Sequence, residues 1–328
     1  MNLYPLIKLL SNGEFQTGTL LGERLGISRT AIWKQIKQLQ ALGLEVITKK
    51  NEGYSLSQPL YLLDISLLDS KLKAANSSLA LDFLPVVDST NLELTRRLAN
   101  KELIPKSASA NTLLIAEKQT AGRGRRGRDW CSPYAASLSM SLSFKVEGGA
   151  NVLQALSLAV GVVIKEVLSL HGANEVQLKW PNDLYLKDAK LGGILIELSG
   201  DLAGPCNLVV GVGLNVFRTQ QILAVDQPVA YLSDVVGDAL CRASLAADLA
   251  LAIEKLLANY AVEGFLPWQE KWNKAHVWSG RKASIITPSK TLVVTLGGVT
   301  QTGELQVIYT DGTQGVINAG EVSVRAVE

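Results

Sequence analysis

Seven consecutive residues combine three glycines with four arginines, and they carry the strongest chemical signal in the sequence. Residues 122–128 read GRGRRGR. The segment is a poor helix former because each glycine costs about 1 kcal/mol relative to alanine, and unpaired arginines are almost never fully buried. Glycines let backbone N–H groups converge on an anion, and guanidinium groups supply permanent, bidentate donors. The segment therefore predicts a loop that binds a small polyanion such as a nucleotide phosphate.

Three other interpretations of this loop fit the sequence less well. Its glycine spacing matches the dinucleotide-binding fingerprint, which requires a strand before the loop and a helix after it. Residues 112–116 predict the strand, but residues 137–144 (SLSMSLSF) alternate with a period of two and predict a second strand. A Walker A loop would need Lys and Ser or Thr where Arg128 and Asp129 stand. A merely solvated basic loop is disfavoured by the interleaved glycines and the apolar flanks.

A second group of polar residues lies on a predicted strand meander. Residues 176–197 predict three short strands joined by tight turns, the first with the signature PND. The meander brings Lys179, Asp183 and Lys190 close together between apolar segments. Asn182 and Asp183 could serve the turn alone, and Lys190 could be a solvated strand end. A desolvated lysine beside a carboxylate can instead stabilise charge in a transition state.

A polar segment after another predicted strand offers a third candidate site. Residues 81–87 read as a strand, and the capping box formed by Thr90 and Glu93 predicts that a helix starts there. Ser89 and Thr90 could therefore serve the helix cap alone. A polar helix N-terminus at the end of a strand can equally provide hydrogen bonds to a small ligand, and the sequence favours neither use.

The first 58 residues predict a helix-turn-helix module with a wing. Helices are indicated at residues 4–10, 19–25 and 29–41, with Ser28 as the N-cap of the third helix. A hairpin with a basic turn is indicated at residues 45–56. This order of elements is the layout of a winged DNA-binding domain.

Polar and basic side chains cover the face of the third helix opposite its apolar stripe. The predicted DNA-contacting residues are Ser28, Arg29, Thr30, Trp33, Lys34 and Lys37. Seven Lys and Arg against four Glu give the first 58 residues a net charge of +3. This face would enter a major groove while the wing contacts phosphates. A three-helix module used for protein contacts is the alternative, and Trp33 could either stack on a sugar or pack against the wing.

The remaining segments complete two further domains. Residues 57–68 read as a linker, and residues 151–170 and 245–260 read as helices with apolar faces. From residue 279 onward, short strands alternate with Gly-rich turns, which predicts a small β-barrel. The predicted domains are residues 1–63, 64–278 and 279–328.

The composition excludes several classes of protein. The 328 residues carry a net charge of +2, and 47% are hydrophobic and 19% charged, as in ordinary globular proteins. Three cysteines without a CxxC spacing and two distant histidines predict no disulfide framework, no metal site and no Ser-His-Asp triad. No signal peptide is apparent, and the apolar run at residues 152–164 is too short to span a bilayer. We therefore expect a cytoplasmic protein without a membrane partner.

Four motifs together resemble the family of biotin protein ligases that also act as biotin operon repressors. They are GRGRRGR at 122–128 followed by Asp129 and Trp130, DSTN at 88–91, KWPNDLYL at 179–186 and KLGGILIE at 190–197. The resemblance extends over the full length. It implies an N-terminal winged helix-turn-helix, an α/β (α+β) catalytic domain with a mixed sheet, and a C-terminal SH3-like β-barrel.

The resemblance implies a two-step ligation that uses biotin as substrate and requires ATP and Mg²⁺. The biotin carboxylate first attacks the α-phosphate of Mg·ATP, which gives biotinyl-5′-adenylate and pyrophosphate. A lysine of the biotin carboxyl carrier protein of acetyl-CoA carboxylase then attacks the mixed anhydride and releases AMP. Two anions must meet in the first step, so cations have to screen their repulsion. The resemblance also implies an adenylate-bound homodimer that represses by binding biotin operator DNA.

The resemblance also implies roles for individual residues. The implied biotin-binding residues are Ser89, Thr90, Asn91, Gln119, Arg123, Gly124, Arg125 and Lys190. The implied nucleotide-binding residues are Arg128, Trp130, Lys179, Asn182 and Asp183. Lys190, Arg125 and Asp183 would be catalytic, with Lys190 holding the biotin carboxylate and the α-phosphate. Asp183 would assist the attacking amine, directly or through a metal, and Trp130 would cover the adenine.

Three alternative functions are compatible with the same residues. They are a ligase whose winged helix is only structural, a ligand-sensing transcription factor without enzymatic activity, and a lipoate ligase. The Arg-rich loop disfavours the lipoate ligase. The chain departs from the family at Cys131, where a larger aromatic residue is common, and at Trp33 on the recognition helix. These departures leave the loop packing and the operator sequence open.

Overall fold

The N-terminal residues form the predicted three helices and wing. The structure is a computed structural model, and it describes residues 2–100, 111–201, 203–219, 227–287, 290–320 and 322–326. Helices α1, α2 and α3 span Tyr4–Leu10, Gly18–Leu25 and Arg29–Ala41, and strands β1 and β2 span Val46–Lys49 and Gly53–Leu56. Ser28 caps α3 as predicted, because its side chain accepts a hydrogen bond from Ala31 N. The apolar faces of the three helices share one small core.

Eight strands form the central mixed sheet. They are β3 (Ala80–Val87), β4 (Thr112–Arg123), β5 (Asp129–Ser132), β6 (Ser137–Val146), β7 (Gln177–Lys179), β8 (Asp183–Leu186), β9 (Ala189–Gly200) and β10 (Cys206–Asn215). Their order is β3-β4-β6-β10-β9-β8-β7, with β5 paired to β4. The β3–β4 pair is parallel and the other pairs are antiparallel. The Arg-rich loop thus joins two strands, which confirms the prediction that it is not a Rossmann loop.

The two faces of the sheet differ because side chains alternate along each strand. Strand β6 turns Leu138, Met140 and Leu142 into the main hydrophobic core, which also contains the buried sides of α6 (Leu156–Leu170) and α8 (Arg242–Glu263). The serines of β6 point the other way. On that face α5 (Thr90–Ala99) packs through a separate apolar cluster of Leu94, Leu114 and Val209.

The C-terminal residues form a second sheet, which shares the main hydrophobic core. Its strands are β11 (Lys282–Ile286), β12 (Thr291–Val299), β13 (Leu305–Tyr309), β14 (Gln314–Ile317) and β15 (Ser323–Ala326), in the order β14-β13-β12-β11-β15. Within the described residues these pairings make an open row, so the C-terminal β-sheet is confirmed and a closed barrel is not. Ile285 and Val299 share the main core with Trp272 of α9 (Leu266–Ala275).

Two predicted boundaries need correction. The linker expected at residues 57–68 contains the first turn of α4 (Ile65–Ala74), which begins where Asp64 accepts a hydrogen bond from Leu67 N. The helix expected from residue 151 begins only at Leu156, because Ala155 has a left-handed φ of 57°. A short 3-10 helix precedes it. Helix α9 and the four-residue α7 (Ser233–Val236) were not predicted.

The predicted capping box at the start of α5 is also wrong in detail. Ser89 is the N-cap, and its side chain accepts a hydrogen bond from Leu92 N. Glu93 does not reach back to Thr90; it forms ion pairs with Arg96 and Arg97. Thr90 is left free of the capping role and is buried beside the central sheet.

One segment within the described residues is long and apolar enough to cross a membrane by length and composition. It comprises Ala150–Leu170, with a mean hydropathy of 1.7 over the most apolar window. Of that window, 61% is buried inside the protein, and Leu158, Val160 and Ile164 belong to the main core. The apolar composition is therefore explained by the position of α6 against the sheet and α8.

A buried ion pair connects the segment after the wing to the central sheet and α8. An Arg242 guanidinium nitrogen lies 2.6 Å from Glu117 Oε2, and both side chains are almost completely buried. Arg242 also donates to the carbonyl oxygens of Ser137 and Tyr61, and Glu117 accepts a 2.6 Å hydrogen bond from Leu63 N. The buried charges are thus hydrogen-bonded on several sides, which is the condition under which such pairs are tolerated.

Candidate functional site

A cavity of about 440 Å³ lies between the Arg-rich loop and the serine face of the sheet. All the predicted biotin-binding residues line it, as do Arg128, Trp130, Asn182 and Asp183. Residues from four separate parts of the chain therefore meet at one place. The loop and Lys190, which are more than sixty residues apart in sequence, face the same space.

Hydroxyl and amide groups are concentrated at one end of the cavity. The N-terminus of α5 supplies Ser89, Thr90 and Asn91, and the end of β4 supplies Gln119. Gln119 Oε1 accepts a 2.8 Å hydrogen bond from Thr90 N. All four side chains are at least nine-tenths buried, and all four line the cavity. This end suits a small polar group that both donates and accepts hydrogen bonds.

Glycines make the cavity floor flat. Gly193 of β9 and Gly213 of β10 are register partners, and Gly211 lies two residues along β10 on the same face. A Cβ at Gly213 would lie 2.7 Å from the Trp130 ring, and a Cβ at Gly211 would collide with the Asn91 amide. The missing side chains therefore let Trp130 and α5 approach the sheet directly.

Trp130 closes the cavity on the loop side, and its indole has a free donor. Among the described residues its Nε1 has no hydrogen-bond partner although the atom is buried. Buried indole N–H groups are normally hydrogen-bonded. Because Trp130 lines the cavity, its aromatic face is available to a planar ligand.

Cationic groups surround the other end of the cavity. Lys190 Nζ lies 2.8 Å from Asp183 Oδ1, and both side chains are mostly buried. An Arg125 nitrogen lies 3.5 Å from Asn182 Oδ1. Burial lowers the pKa of Arg125, and the neighbouring charges of Arg126 and Arg128 lower it further, although Asp183 opposes the shift. Desolvated positive charge that lacks a full complement of carboxylates attracts anions.

The Arg-rich loop is held against the C-terminal sheet. Arg125 donates to the backbone oxygen of Ala319, while Arg126 and Arg128 contact Ser323 Oγ at 3.1 and 2.6 Å. Arg123 points the other way and lies 3.9 Å from Glu197. The loop therefore depends on the C-terminal sheet for its position over the cavity.

Lys179 is the one predicted site residue of the catalytic domain that does not line the cavity. Its side chain is buried, its Nζ donates a 2.9 Å hydrogen bond to Tyr185 Oη, and it lies 4.6 Å from the centre of the Trp278 ring. Burial lowers the pKa of Lys179 to about 8, with Asp183 partly opposing that shift. The meander prediction placed it with Lys190, but the Lys179 ammonium group turns to Tyr185 and Trp278, whereas Lys190 contacts Asp183.

The predicted DNA-contacting residues share one solvent-exposed face. Ser28, Arg29, Thr30, Trp33, Lys34 and Lys37 are all exposed, whereas Ile32, Ile36 and Leu39 of the same helix are buried. Lys37 Nζ lies 5.7 Å from the Trp33 ring centre, so Trp33 packs along its own helix. It is 52% exposed and is not part of the core of the module.

Sequence reasoning missed several residues that support the site. Ser141 of β6 contacts Thr90 and Asn91, Glu197 of β9 accepts from Asn91, and Arg325 of β15 lines the cavity. The alternation SLSMSLSF contained the signal for Ser141, because a strand with an apolar core face needs a reason to bury serine on its other face. No local sequence pattern indicated that Glu197 or Arg325 would lie at the site.

Metal-binding clusters are not found in the part of the chain that the structure describes. No group of three or more His, Cys, Asp or Glu side chains is placed to hold an ion there. His171 pairs with Asp248 at 2.9 Å, and His276 Nδ1 donates to Gly297 O within the core. The carboxylates on the cavity wall are Asp129 and Asp183, and Asp183 is already engaged by Lys190.

Fold and site together define a class of protein: an enzyme that brings small anions together, joined to a helix-turn-helix domain. Comparison with known proteins agrees with both the enzyme domain and the helix-turn-helix domain. Residues 83–215 match the model of the biotin/lipoate A/B protein ligase family, and residues 3–55 match an HTH domain.

Similarity to individual proteins extends over nearly the whole chain. The bifunctional ligase/repressor BirA of Salmonella typhimurium is 40% identical over 324 residues, which are 98% of this chain and 97% of that protein. The Escherichia coli K12 protein of the same name gives the same values. The chain therefore belongs to the family of bifunctional ligase/repressors. Among solved structures, the biotin protein ligase of Aquifex aeolicus in complex with biotin and ATP matches 75% of this chain and 99% of its own, with a TM-score of 0.63 and 27% identity.

Proposed function

We propose that this protein is an ATP-dependent ligase that activates biotin as biotinyl-5′-AMP and transfers it to a lysine of the biotin carboxyl carrier protein of acetyl-CoA carboxylase. We further propose that the adenylate-bound form represses the biotin biosynthesis operon. Family membership supports both activities. The proposed ligase activity is supported by a single cavity, in which the GRGRRGR loop and Lys190 face hydroxyl and amide groups of α5 and β4.

The cationic end of the cavity suits the attack of a carboxylate on a phosphate. Both reactants are anions, so their approach requires positive charge that is already in place and poorly hydrated. Lys190 is proposed to contact the biotin carboxylate and the α-phosphate, and Arg123 and Arg125 to close over them. Lys190 must then leave its 2.8 Å contact with Asp183 in part. This frees the Asp183 carboxylate for the second step, where it would assist the attacking amine.

The polar end of the cavity suits the ureido ring of biotin. That ring offers one carbonyl acceptor and two N–H donors, and Ser89, Thr90, Asn91 and Gln119 offer the complementary groups. Gly124 is proposed to contact the same ligand through its backbone. A polar group can bind here without leaving buried donors or acceptors unpaired, which would otherwise weaken binding.

The nucleotide is proposed to lie along the side of Trp130 that faces the cavity, because the other edge of the indole rests on Gly213. The indole face would cover the adenine, and Arg128 and Asn182 would contact the phosphates. Mg²⁺ fits as part of the Mg·ATP substrate, because the described residues offer only isolated carboxylates and not a cage. Lys179 is proposed to support this wall indirectly, since it packs behind the site against Tyr185 and Trp278.

The N-terminal module is proposed to bind operator DNA as part of a homodimer. The exposed polar and basic face of α3 would enter the major groove, and Lys49 and Lys50 of the wing would contact phosphates. Adenylate would favour dimerisation if it binds the dimer more tightly than the monomer, because only differential affinity can shift the equilibrium.

The remaining proposals concern the architecture and location of the protein. We infer three domains at residues 1–63, 64–278 and 279–328, of which the last is a variant of the SH3-like barrel. We also infer a cytoplasmic protein. The free cysteines at 131, 206 and 241 support this inference.

Biotin-dependent exchange of labelled pyrophosphate into ATP tests the substrate and the chemistry together. We expect exchange with biotin and not with lipoate, followed by labelling of one lysine of the carrier protein. Exchange with lipoate alone would contradict the proposal. A mobility shift of operator DNA that requires biotin and ATP tests the second activity. Ligation without any such shift would mean that the protein is a ligase and not a repressor.

A further inference from the structure

A chain of buried hydrogen bonds runs behind the polar end of the cavity. It links Glu197, Asn91, Ser141, Thr90 and Gln119 across strands β9, β6 and β4 and the first turn of α5. Ser141 has no solvent exposure, and Thr90 and Asn91 are each 3% exposed. Water cannot reach Ser141, so its single proton must be donated to one of its protein neighbours.

Asn91 fixes the direction of the chain. Its Nδ2 lies 2.9 Å from Glu197 Oε2 and 3.2 Å from the backbone oxygen of Leu195. Because a backbone carbonyl can only accept, the amide group must present its NH₂ there and its Oδ1 to Ser141. Ser141 Oγ lies 2.6 Å from Asn91 Oδ1, and an amide oxygen carries no hydrogen. The single hydroxyl proton of Ser141 is therefore given to Asn91.

The direction of the Ser141 hydrogen bond in turn determines which way the hydroxyl of Thr90 donates, and Thr90 lines the cavity. Ser141 Oγ lies 2.7 Å from Thr90 Oγ1, and since the Ser141 proton is already used, Thr90 must be the donor in this contact. Gln119 Oε1, at 3.1 Å, can also accept this proton, but the 2.7 Å contact between the two hydroxyl oxygens would then contain no proton. The Thr90 hydroxyl proton is thus held inside the protein. Only its lone pairs remain for a molecule in the cavity.

We propose that Ser141 is a positioning residue that holds the Thr90 hydroxyl as a hydrogen-bond acceptor, so that this end of the cavity selects ligands with an N–H donor. The inference rests on the proposed function, in which the ureido ring of biotin supplies that donor. Ser141 acts only through Thr90 and does not touch the ligand. Gly211 keeps the arrangement in place, because a Cβ there would displace Asn91.

A double-mutant cycle on the full-length protein tests whether Ser141 acts through Thr90. Biotin-dependent ATP–pyrophosphate exchange is measured for wild type, Ser141→Ala, Thr90→Val and the double variant. We expect each single change to raise the KM for biotin about tenfold, the loss of one good hydrogen bond, with kcat within about twofold. The double variant should be no worse than either single variant, since residues that act as a unit are not additive. If the increases in the KM for biotin multiply in the double variant, the proposal is overturned.

Ser143→Ala is the matched control. Ser143 is the next serine on the same face of β6 and is 2% exposed, but it contacts neither Thr90 nor Asn91 among the bonds described above. We expect its KM for biotin to match wild type. A tenfold rise in this control as well would show that loss of any buried serine disturbs the sheet, and would overturn the specific role of Ser141.

Analogues of biotin provide a second test that needs no variant of Ser141. Two cyclic carbamates replace one ureido N–H or the other with oxygen while keeping the ring size. In wild type, one of them should have a KM at least tenfold above that of biotin, because two acceptors would face each other. In Thr90→Val the ratio of the KM for this carbamate to the KM for biotin should fall below about threefold. Equal KM values for biotin and both carbamates in wild type would overturn the inference, whereas no exchange with biotin would contradict the proposed function.

Discussion

Gly213 shows how a single absent side chain shapes the cavity. Its φ is not unusual, so its backbone conformation does not require glycine. Glycine is required because of the Trp130 ring, whose nearest atom would lie 2.7 Å from a Cβ at this position. No sequence pattern identifies Trp130 as the group that approaches this glycine, because the two residues are more than eighty positions apart.

Gly213→Ala is expected to impair the nucleotide side of the site more than the biotin side. The added methyl group must push the indole toward the loop, because the backbone beneath it is held in the sheet. We expect the KM for ATP in pyrophosphate exchange to rise about tenfold or more, and the KM for biotin to rise less. Steady-state kinetics with each substrate varied in turn measures both values.

Gly161→Ala serves as the control for this change. A Cβ at Gly161 in helix α6 would meet its nearest neighbour at 3.5 Å, an ordinary van der Waals contact, and helices favour alanine over glycine. Both KM values should stay within about twofold of wild type. Equal effects of the two substitutions would argue that Trp130 does not mediate the effect at Gly213.

Elements with regular periodicity and clear caps could be predicted from sequence, whereas irregular connections could not. Helices α2 and α3 follow their N-caps and apolar spacing, and strand β6 follows its alternation. The start of α6 was missed because the left-handed Ala155 gives no sequence signal. Helix α9 was missed because a ten-residue segment with two tryptophans has a weak pattern, although proline near its start is typical of a helix N-terminus.

The junction between α9 and the C-terminal sheet contains a histidine that should make stability depend on pH. His276 is 5% exposed, stacks on Trp272 with ring centres 4.8 Å apart, and has a Nδ1 to Gly297 O distance of 3.0 Å. Burial lowers the pKa of His276 to about 4. Between pH 6.5 and 4 the unfolded chain therefore binds the proton more readily than the folded chain does.

We expect this histidine to stabilise the fold fully above pH 6.5 and to lose that contribution as the pH falls toward 4. The full effect is on the order of 3 kcal/mol in the free energy of unfolding. His276→Asn removes the titration and can keep a donor to Gly297 O. Calorimetric melting at pH 7.5 and pH 5 should show a smaller difference for the variant than for wild type. An identical drop in both proteins would assign the acid sensitivity to other groups.

At the scale of the whole molecule, the pair formed by Glu117 and Arg242 joins three parts of the chain. It connects the segment after the wing, the strand that ends in the Arg-rich loop, and the long helix α8. No sequence pattern could reveal a contact between residues 125 positions apart, because each partner alone resembles a surface charge. The same limit applies to the support that the C-terminal sheet gives the loop.

Glu117→Gln is expected to destabilise the protein strongly. The amide keeps the shape of the side chain but leaves the buried guanidinium without its counter-charge, which typically costs about 3 to 5 kcal/mol. Denaturant unfolding followed by circular dichroism measures this loss. As the control, Glu175→Gln disrupts an exposed 3.7 Å pair with Lys187 and should cost less than about 1 kcal/mol. A mild effect of Glu117→Gln would mean that water reaches Arg242.

Lys190 and the Arg-rich loop are proposed to bring two anions together in one cavity. Biotin-dependent ATP–pyrophosphate exchange by Lys190→Ala tests this proposal most directly, with Lys187→Ala as the control at an exposed position three residues away. We expect Lys190→Ala to lower kcat/KM by about a hundredfold or more, as when a preorganised charge is removed from an active site, and Lys187→Ala to behave like wild type. Undiminished exchange by Lys190→Ala would contradict the central claim.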